Sequence, residues 1–538
     1  MPKEERNGVA ATGARRPKRP ESDPLKKPFT PESLDRTLIA LPLLDRIERD
    51  GLAKVQNVII DVNLEYPGGR EEARKELKRW IDELIAANGA KRKKGRAATS
   101  DEGVNEAKSK YSQQYLFGRL SGRNIRALVA RARQEAGTGA GKVKAPALYR
   151  VWLDHEVQRF TNVSVSTVKA DAARNAFGAL GKGIVWAVID TGVDAAHPHF
   201  ARHRNLTLDP PLRHRDFTGA GDGSEDELEQ RALADPAGHG THVAGIIAGE
   251  FRAANGSRIL ARVRERDESG EVRTEERDDI PAISGMAPQC RVLSLRALDE
   301  NGRGLSSSLI AALEYIQELN GNGRRIRVHG VNMSVGYDFE PKWFACGQSP
   351  LCIEVDRLVR SGVVVVVAAG NTGYGFNQPE AQGPTAAGLD LTINDPGNAD
   401  LAITVGSTHR EMPHVYGVSY FSSKGPTGDG RLKPDLVAPG EKIISCTSAQ
   451  MPGNDAGSGG GGDGGNTLVA RYREDSGTSM AAPHVSGVIA AFLSIRREFV
   501  GRPERVKDIF LATATDLRRA VYFQGKGLID LMRAIQSV

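Results

Sequence analysis

The chain has 538 residues, 39% of them hydrophobic and 26% charged, with 60 glycines, 27 prolines and 4 cysteines. That composition excludes a disordered chain and a disulfide-built scaffold, and the longest apolar run, residues 363–369, is far short of the roughly 18 residues that cross a bilayer. The net charge of +6 divides unevenly: residues 1–160 hold 33 Lys and Arg against 22 Asp and Glu (+11), and residues 161–538 hold 40 against 45 (−5).

Residues 1–50 read as a charged, proline-bearing arm with at most one short helix, lacking the apolar stretch of a secretory signal. The stretch 38–44 (LIALPLL) is short, broken by Pro42 and flanked by acids, which predicts an amphipathic turn packed on the next element. A cytoplasmic location with reduced thiols is the expectation, with secretion by another route left open. Alternation of Val58, Ile60, Val62, Leu64 and Tyr66 predicts a half-buried strand over 58–66. Ala73, Leu77, Trp80, Ile81, Leu84 and Ile85, three or four apart, predict an amphipathic helix over 70–88. The basic run 91–96 (KRKKGR) has no interleaved aromatic residues and reads as a solvated loop, not a nucleic-acid surface. A strand over 114–120, a helix over 124–135 and a strand over 147–154 complete an α+β unit spanning residues 51–160.

Beyond residue 180 near-continuous aliphatic runs at 184–189, 292–295, 328–335, 363–369 and 402–405 alternate with small-residue helices such as 305–319 and 480–497. Such strands are buried on both faces, so a doubly wound, mostly parallel α/β sheet with helices on both faces is predicted within residues 161–538. Active sites of such sheets lie beyond the carboxyl ends of the strands.

Candidate reactive residues stand at those ends and in two glycine-flanked segments. Asp190 closes the first run in VWAVIDTGVD, Asn371 follows the fourth in VVVVVAAGNTG, His239 lies in GHGTHVAGIIAG and Ser479 in SGTSMAAPHVSG. A serine hydroxyl is a weak nucleophile at neutral pH; it needs an imidazole base, a carboxylate to orient that base, and donors for the oxyanion. Singly, each residue has an ordinary explanation as a cap, a turn or a core residue. In the order Asp, His, Ser with a strand-borne Asn between, they form a specific set.

The motifs DTGVDAAHP, HGTHVAG, GMAP, VNMSVG, AAGN and GTSMAAPHVSG resemble those of the subtilisin family of serine peptidases, over residues 161–538. The resemblance implies a serine endopeptidase with Ser479 as nucleophile, His239 as general base and acid, Asp190 as orienting carboxylate, and Asn371 as oxyanion donor beside the Ser479 backbone N–H. It implies two pocket walls for the residue before the scissile bond, Ser334, Val335 and Gly336 on one side and Ala368, Ala369 and Gly370 on the other. Gly304 and Leu305, within GRGLS at 302–306, are implied to pair with an extended polypeptide substrate.

By the same resemblance the N-terminal unit is expected to be a ferredoxin-like pro-domain, the chain's own intramolecular inhibitor, removed by self-cleavage between Phe160 and Thr161, the alternative being a permanently attached accessory domain. That cut implies acceptance of a large apolar residue before the scissile bond. The opposite charges of the two parts are expected to aid their association. No nucleic acid or membrane partner is expected. The rival reading is a catalytically silent peptide-binding or scaffolding protein with the same fold.

His239 and His242, spaced i and i+3, have no third ligand nearby, and no metal is assigned to them. Where the family often holds calcium, the acid after the His-Pro pair is replaced by His199, a poor ligand for a hard cation. No cofactor is therefore required; the acidic stretch 390–400 is the alternative calcium loop, against a plain solvated loop. Cys346 and Cys352 share a loop and could bridge in an oxidising compartment, whereas Cys290 and Cys446 read as buried thiols. His484 reads as structural and Asp194 as a support for the loop after Asp190. Two insertions, a charged hairpin over 250–280 turning near Ser269 and Gly270, and a Gly-rich loop over 453–465, are candidates for a lid or a partner surface.

Overall fold

The computed structural model describes residues 38–89, 102–110, 112–137, 145–154, 163–219, 223–254, 256–266, 271–339, 345–377, 385–451 and 468–538. The basic run 91–96, Phe160 and Thr161, the turn at Ser269 and Gly270, and the Gly-rich stretch 453–465 lie outside them. The chain forms two compact units, Met1–His155 and Glu156–Val538.

The first unit contains α1 (Leu41–Asp50), β1 (Val55–Val62), α2 (Gly69–Gly89), β2 (Gly103–Val104), β3 (Tyr115–Ser121), α3 (Gly122–Gly137) and β4 (Leu148–Leu153). Its sheet has the order β2-β3-β1-β4 with antiparallel neighbours. β1 and β2, joined through α2, therefore flank β3 in parallel, which is the split βαβ arrangement of a ferredoxin-like domain. Val58, Ile60 and Val62 pack with Leu77, Trp80 and Ile81 of α2 and with Ile125, Leu128 and Val129 of α3.

Two expectations are corrected here. The strand over 58–66 stops at Val62, because the Asn63 side chain accepts a hydrogen bond from the Glu65 N–H and turns the chain, leaving Leu64 57% exposed. The arm does not extend to residue 50: Ile39, Leu43, Leu44 and Ile47 belong to the unit's core. The stretch 38–44 is the entry to α1, with Pro42 in its first turn, where a missing N–H leaves no helical bond unmade.

The second unit is built on seven parallel strands: β5 (Val185–Asp190), β6 (Arg215–Asp216), β11 (Arg291–Arg296), β12 (Gly330–Met333), β13 (Val364–Ala368), β16 (Ile403–His409) and β17 (Leu436–Glu441), in the order β17-β16-β13-β12-β5-β11-β6. The intervening β7 (Glu250–Arg252), β8 (Ser257–Arg266), β9 (Val272–Arg277), β10 (Ala282–Ser284), β14 (Tyr374–Asn377) and β15 (Thr385–Gly388) lie in smaller sheets. Alternate residues divide the strands between two cores. Trp186, Val188, Val366 and Val405 face one set of helices, and Ala187, Ile189, Val331 and Val365 face the other. Gly330 is required in that packing, since a Cβ there would lie 2.3 Å from the Trp186 ring. β11 lies on one side of β5 and β12 on the other, so the chain diverges at the carboxyl end of β5 and opens a crevice there.

The helices that matter for this crevice are α4 (Ala170–Phe177), α5 (His239–Ile247), α6 (Ser306–Leu319), α7 (Pro350–Arg360) and α8 (Thr478–Ile495). α6 and α7 cover one face, while α4, α5 and α8 cover the other. α8 is apolar all round and long enough to cross a bilayer by length alone, but 83% of it is buried within the protein, as befits a central core helix.

A further sheet, β18-β19-β8-β9, contains β18 (Ile443–Cys446) and β19 (Leu468–Asp475), the strand that leads into α8. The charged insertion is thus not a detached lid. β8 pairs in parallel with β19, burying Ile259, Ala261 and Val263 beside Tyr472, while β9 closes the hairpin with its side chains outward.

Just past α5, the Glu250 carboxylate meets Arg252 at 2.6 Å, His203 at 3.0 Å and Arg202 at 3.2 Å. Burial works against its charge, but the hydrogen bonds from His203 and Arg252 and the charges of Arg252 and Arg202 prevail and hold the carboxyl at about 2. A depressed carboxyl stabilises the fold above its ordinary value of 4.5, and that contribution is lost as pH falls toward 2. The unfolding free energy of the wild type, read from urea titrations, should therefore fall between pH 7 and pH 3 by about 2 kcal/mol more than that of Glu250→Gln; equal falls would refute this clamp.

Candidate active site

The sequence-predicted residues converge on the crevice. An open cleft of about 920 Å³ is lined by Thr191, His239, Gly302, Gly304, Ser334, Val335, Gly336, Ala368, Gly370, Asn371, Asn394 and Ser479, among others. Asp190 lies buried behind His239, and two of the predicted substrate-binding residues do not line the cleft either. Leu305 is 72% exposed, turned away where the backbone begins α6, and Ala369 is fully buried beneath the wall, its N–H donating to the Val405 carbonyl.

Asp190 is the last residue of β5 and fully buried. Its Oδ1 accepts from His239 Nδ1 at 2.7 Å and from the Thr191 N–H at 2.8 Å, and its Oδ2 has no protein partner. A carboxylate can only accept, so the His239 proton sits on Nδ1 and Nε2 of the neutral ring is left with its lone pair. Burial disfavours the imidazolium, but the charge of Asp190 and the hydrogen bond to it outweigh that, and the His239 pKa is raised above 6.5.

Ser479 lies in the first turn of α8, whose leading N–H groups have no intrahelical acceptor. In the resting arrangement its hydroxyl donates to the Ser334 carbonyl at 3.1 Å. Asn371 is oriented by Thr478: the Thr478 N–H at 2.9 Å and hydroxyl at 3.1 Å both donate to Asn371 Oδ1. A backbone N–H cannot accept, so the amide cannot flip, and Nδ2–H₂ is the end left to donate. Between the two pocket walls sits Asn394, close against Gly336 and against Gly370, where φ is 109° and a Cβ would lie 2.5 Å from Asn394 Oδ1.

The supporting shell contains residues that the sequence reading passed over. Asp235 is fully buried. Its Oδ1 accepts from Thr191 Oγ1 (2.7 Å) and Gly238 N–H (2.8 Å), and its Oδ2 from the Thr241 N–H (2.7 Å) and Thr241 Oγ1 (2.6 Å). Thr191 Oγ1 in turn accepts from the Gly240 N–H. One carboxylate thus ties the end of β5 to the start of α5, the two elements that carry Asp190 and His239. An acid four residues before His239, at a helix start, was the available signal. Asp194 does support the neighbouring loop, accepting from Ala196 and Ala449.

Three other histidines of the second unit, His242, His484 and His199, are structural. His242 is fully buried, its Nε2 at 3.2 Å from the Arg473 carbonyl, and burial pushes its pKa far down. His484 Nδ1 donates to the Met480 carbonyl at 2.7 Å. His199 is fully buried and held to about 3 by burial, contacting the Tyr472 hydroxyl and the Ala248 carbonyl. Those contacts use both ring nitrogens, so this position does not fit a hard cation. In the 390–400 stretch Asp395 accepts from Asn398, and Asp400 faces Arg431 at 3.6 Å. No group of three metal-ligating acids, histidines or cysteines occurs among the described residues. All four cysteines are free and buried, Cys352 lying in α7.

Replacing Asp235 by Ala would strand four buried donors. It should lower stability by roughly 3 kcal/mol, read from a denaturant midpoint; a loss below about 0.5 kcal/mol would contradict the tie.

Comparison with known proteins bears on what this arrangement does. The Subtilase family profile matches residues 181–527. Serine protease AprX of Bacillus subtilis (strain 168) is 28% identical over 377 residues, covering 68% of this chain and 69% of that protein. The major intracellular serine protease of the same strain is 30% identical over 334 residues, covering 62% and 75%. The crystal structure of a cold-adapted subtilisin-like serine proteinase aligns with a TM-score of 0.41 at 24% identity, covering 65% of this chain and 88% of that one. With more than half of its length matched by the profile, the chain belongs to the subtilase family of serine endopeptidases, whose substrates are polypeptides.

Proposed function

We propose that Ser479, His239 and Asp190 perform the hydrolysis and that the chain is made as a self-inhibited precursor. The observation that carries the catalytic assignment is the 2.7 Å contact between buried Asp190 and His239 Nδ1, which leaves Nε2 free in the cleft that also holds Ser479. On substrate binding the Ser479 proton, now given to the Ser334 carbonyl, turns to His239 Nε2. Oγ attacks the scissile carbonyl carbon as Nε2 takes the proton. The oxyanion receives hydrogen bonds from Asn371 Nδ2 and the Ser479 N–H. Collapse breaks the C–N bond, and the amine leaves with the proton from His239. Water then repeats the sequence on the acyl-enzyme, releasing the acid and restoring Ser479.

The residue packed against both walls is uncharged Asn394, which suits a large apolar residue before the scissile bond better than a charged one. The ferredoxin-like topology of the first unit and the charges of +11 and −5 support its role as an intramolecular inhibitor released by cleavage at Phe160–Thr161.

A fluorophosphonate probe should label Ser479 and fail on Ser479→Ala; an unlabelled wild type, even without residues 1–160, would favour the scaffold reading. Asn371→Ala should lose roughly 10² to 10³ in kcat, and a loss under threefold would sink its role. Because His239 must be neutral to act, kcat/KM should fall as pH drops through an inflection above 6.5. Asp190→Asn should move that inflection down, since burial alone favours the neutral ring. Intact mass should reveal loss of the first 160 residues in wild type but not in Ser479→Ala; two whole chains under active conditions would end the precursor reading.

A further inference from the structure

Ser479 and Pro483 both lie in α8, four residues apart. In a helix the N–H of residue i donates to the carbonyl of i−4, so the ordinary donor to the Ser479 carbonyl is residue 483, and proline has no N–H to give. The carbonyl of the candidate nucleophile is therefore left without its helical partner.

The gap is filled from the central sheet. Ser334 Oγ, one residue past β12, donates to the Ser479 carbonyl at 2.8 Å. A hydroxyl has one proton, and the Ser334 oxygen in turn accepts from Asn332 Nδ2 at 2.9 Å, while Asn332 Oδ1 accepts from Ser486 Oγ at 2.9 Å. Asn332 and Ser486 are fully buried, so water does not compete, and each donor in the chain has one acceptor. In the opposite sense Ser479 Oγ donates to the Ser334 carbonyl. The two serines thus face each other through reciprocal hydrogen bonds, anchored at Asn332, which pairs with Val188 on one side and Val366 on the other.

Resting on the reading of Ser479 as nucleophile, we propose that the Ser334 side chain is a positioning residue that stands in for the N–H Pro483 lacks. It sets the tilt of the first turn of α8, and so the direction in which the Ser479 hydroxyl and N–H enter the cleft. With no helical N–H competing for the Ser479 carbonyl, that tilt is governed by the strand end that also forms a pocket wall. Nucleophile and wall then keep their spacing as one body.

The test is a double-mutant cycle in the full chain, read by kcat and KM on a peptide anilide and by the rate of fluorophosphonate labelling. Ser334→Ala should lower kcat and the labelling rate about tenfold with KM changed less than about twofold. Pro483→Ala restores the missing N–H, and in that background Ser334→Ala should change kcat less than about twofold. Equal losses in both backgrounds overturn the proposal, as does wild-type kcat in Ser334→Ala. Should Pro483→Ala not fold, the isosteric pair Ser334→Thr and Ser334→Val decides: Thr, which keeps the hydroxyl, should stay within about threefold of wild type and Val should lose about tenfold. Equal behaviour of the pair overturns the proposal. Turnover surviving in Ser479→Ala would sink the nucleophile assignment itself, whereas a labelled Ser479 indifferent to Ser334 sinks this inference alone.

Discussion

The second unit is organised around a single conflict: a helix that must be buried on every side has to present a hydroxyl, that of Ser479, to an open cleft at its first turn. Burial of α8 is supplied by its small and apolar residues, which let α5 and five strands of the sheet approach it closely. The exposed end is supplied by helix geometry, which leaves the first N–H groups without partners and able to meet a developing negative charge. Between those two requirements lies Pro483, and the hydrogen-bond chain from Ser486 through Asn332 and Ser334 to the Ser479 carbonyl restores what the proline removes.

Buried charge is managed in the same unit by saturating it. Asp235 takes four donors, and Glu250 meets three basic side chains. Near the far edge of the sheet, Lys433 is fully buried with its ammonium on the Ala402 carbonyl, the Thr404 hydroxyl and Asp435, while Lys507 reaches the other Asp435 oxygen. Burial still lowers the Lys433 pKa to about 8, although Asp435 opposes it. Asp190 differs: one oxygen is unpartnered within the protein, and the other is shared between His239 and the chain's own Thr191 N–H. Its charge is therefore available to raise the basicity of His239, which a saturated carboxylate would do less well.

How much of this was legible in sequence depends on the range over which each feature is determined. The aliphatic runs of β5, β11 and β13 and the amphipathic spacing of α2 report burial directly, because periodicity is a local consequence of facing one or two cores. Boundaries were less legible. The predicted strand over 328–335 contracts to Gly330–Met333, and only that contraction frees Ser334 to turn its hydroxyl toward α8. The insertion at 250–280 was recognisable as a hairpin from its charge and glycine, but its parallel pairing with β19 joins residues some two hundred positions apart and leaves no local trace.

The sequence by itself determined the parallel α/β class and the family, and it singled out the candidate residues for serine-based acyl chemistry, because each is written in short segments whose composition carries the physical reason. The tertiary structure alone decided which donors meet which acceptors. Asp235 on Thr191, Ser334 on Ser479, and Glu250 on His203 are contacts between distant segments that no spacing encodes. It also decided where side chains lie: Leu305 is turned to solvent, Ala369 lies beneath the wall, and His199 is packed in the core. A hydrogen bond needs its two atoms within about 3 Å, and that condition is met or missed only once the chain has packed.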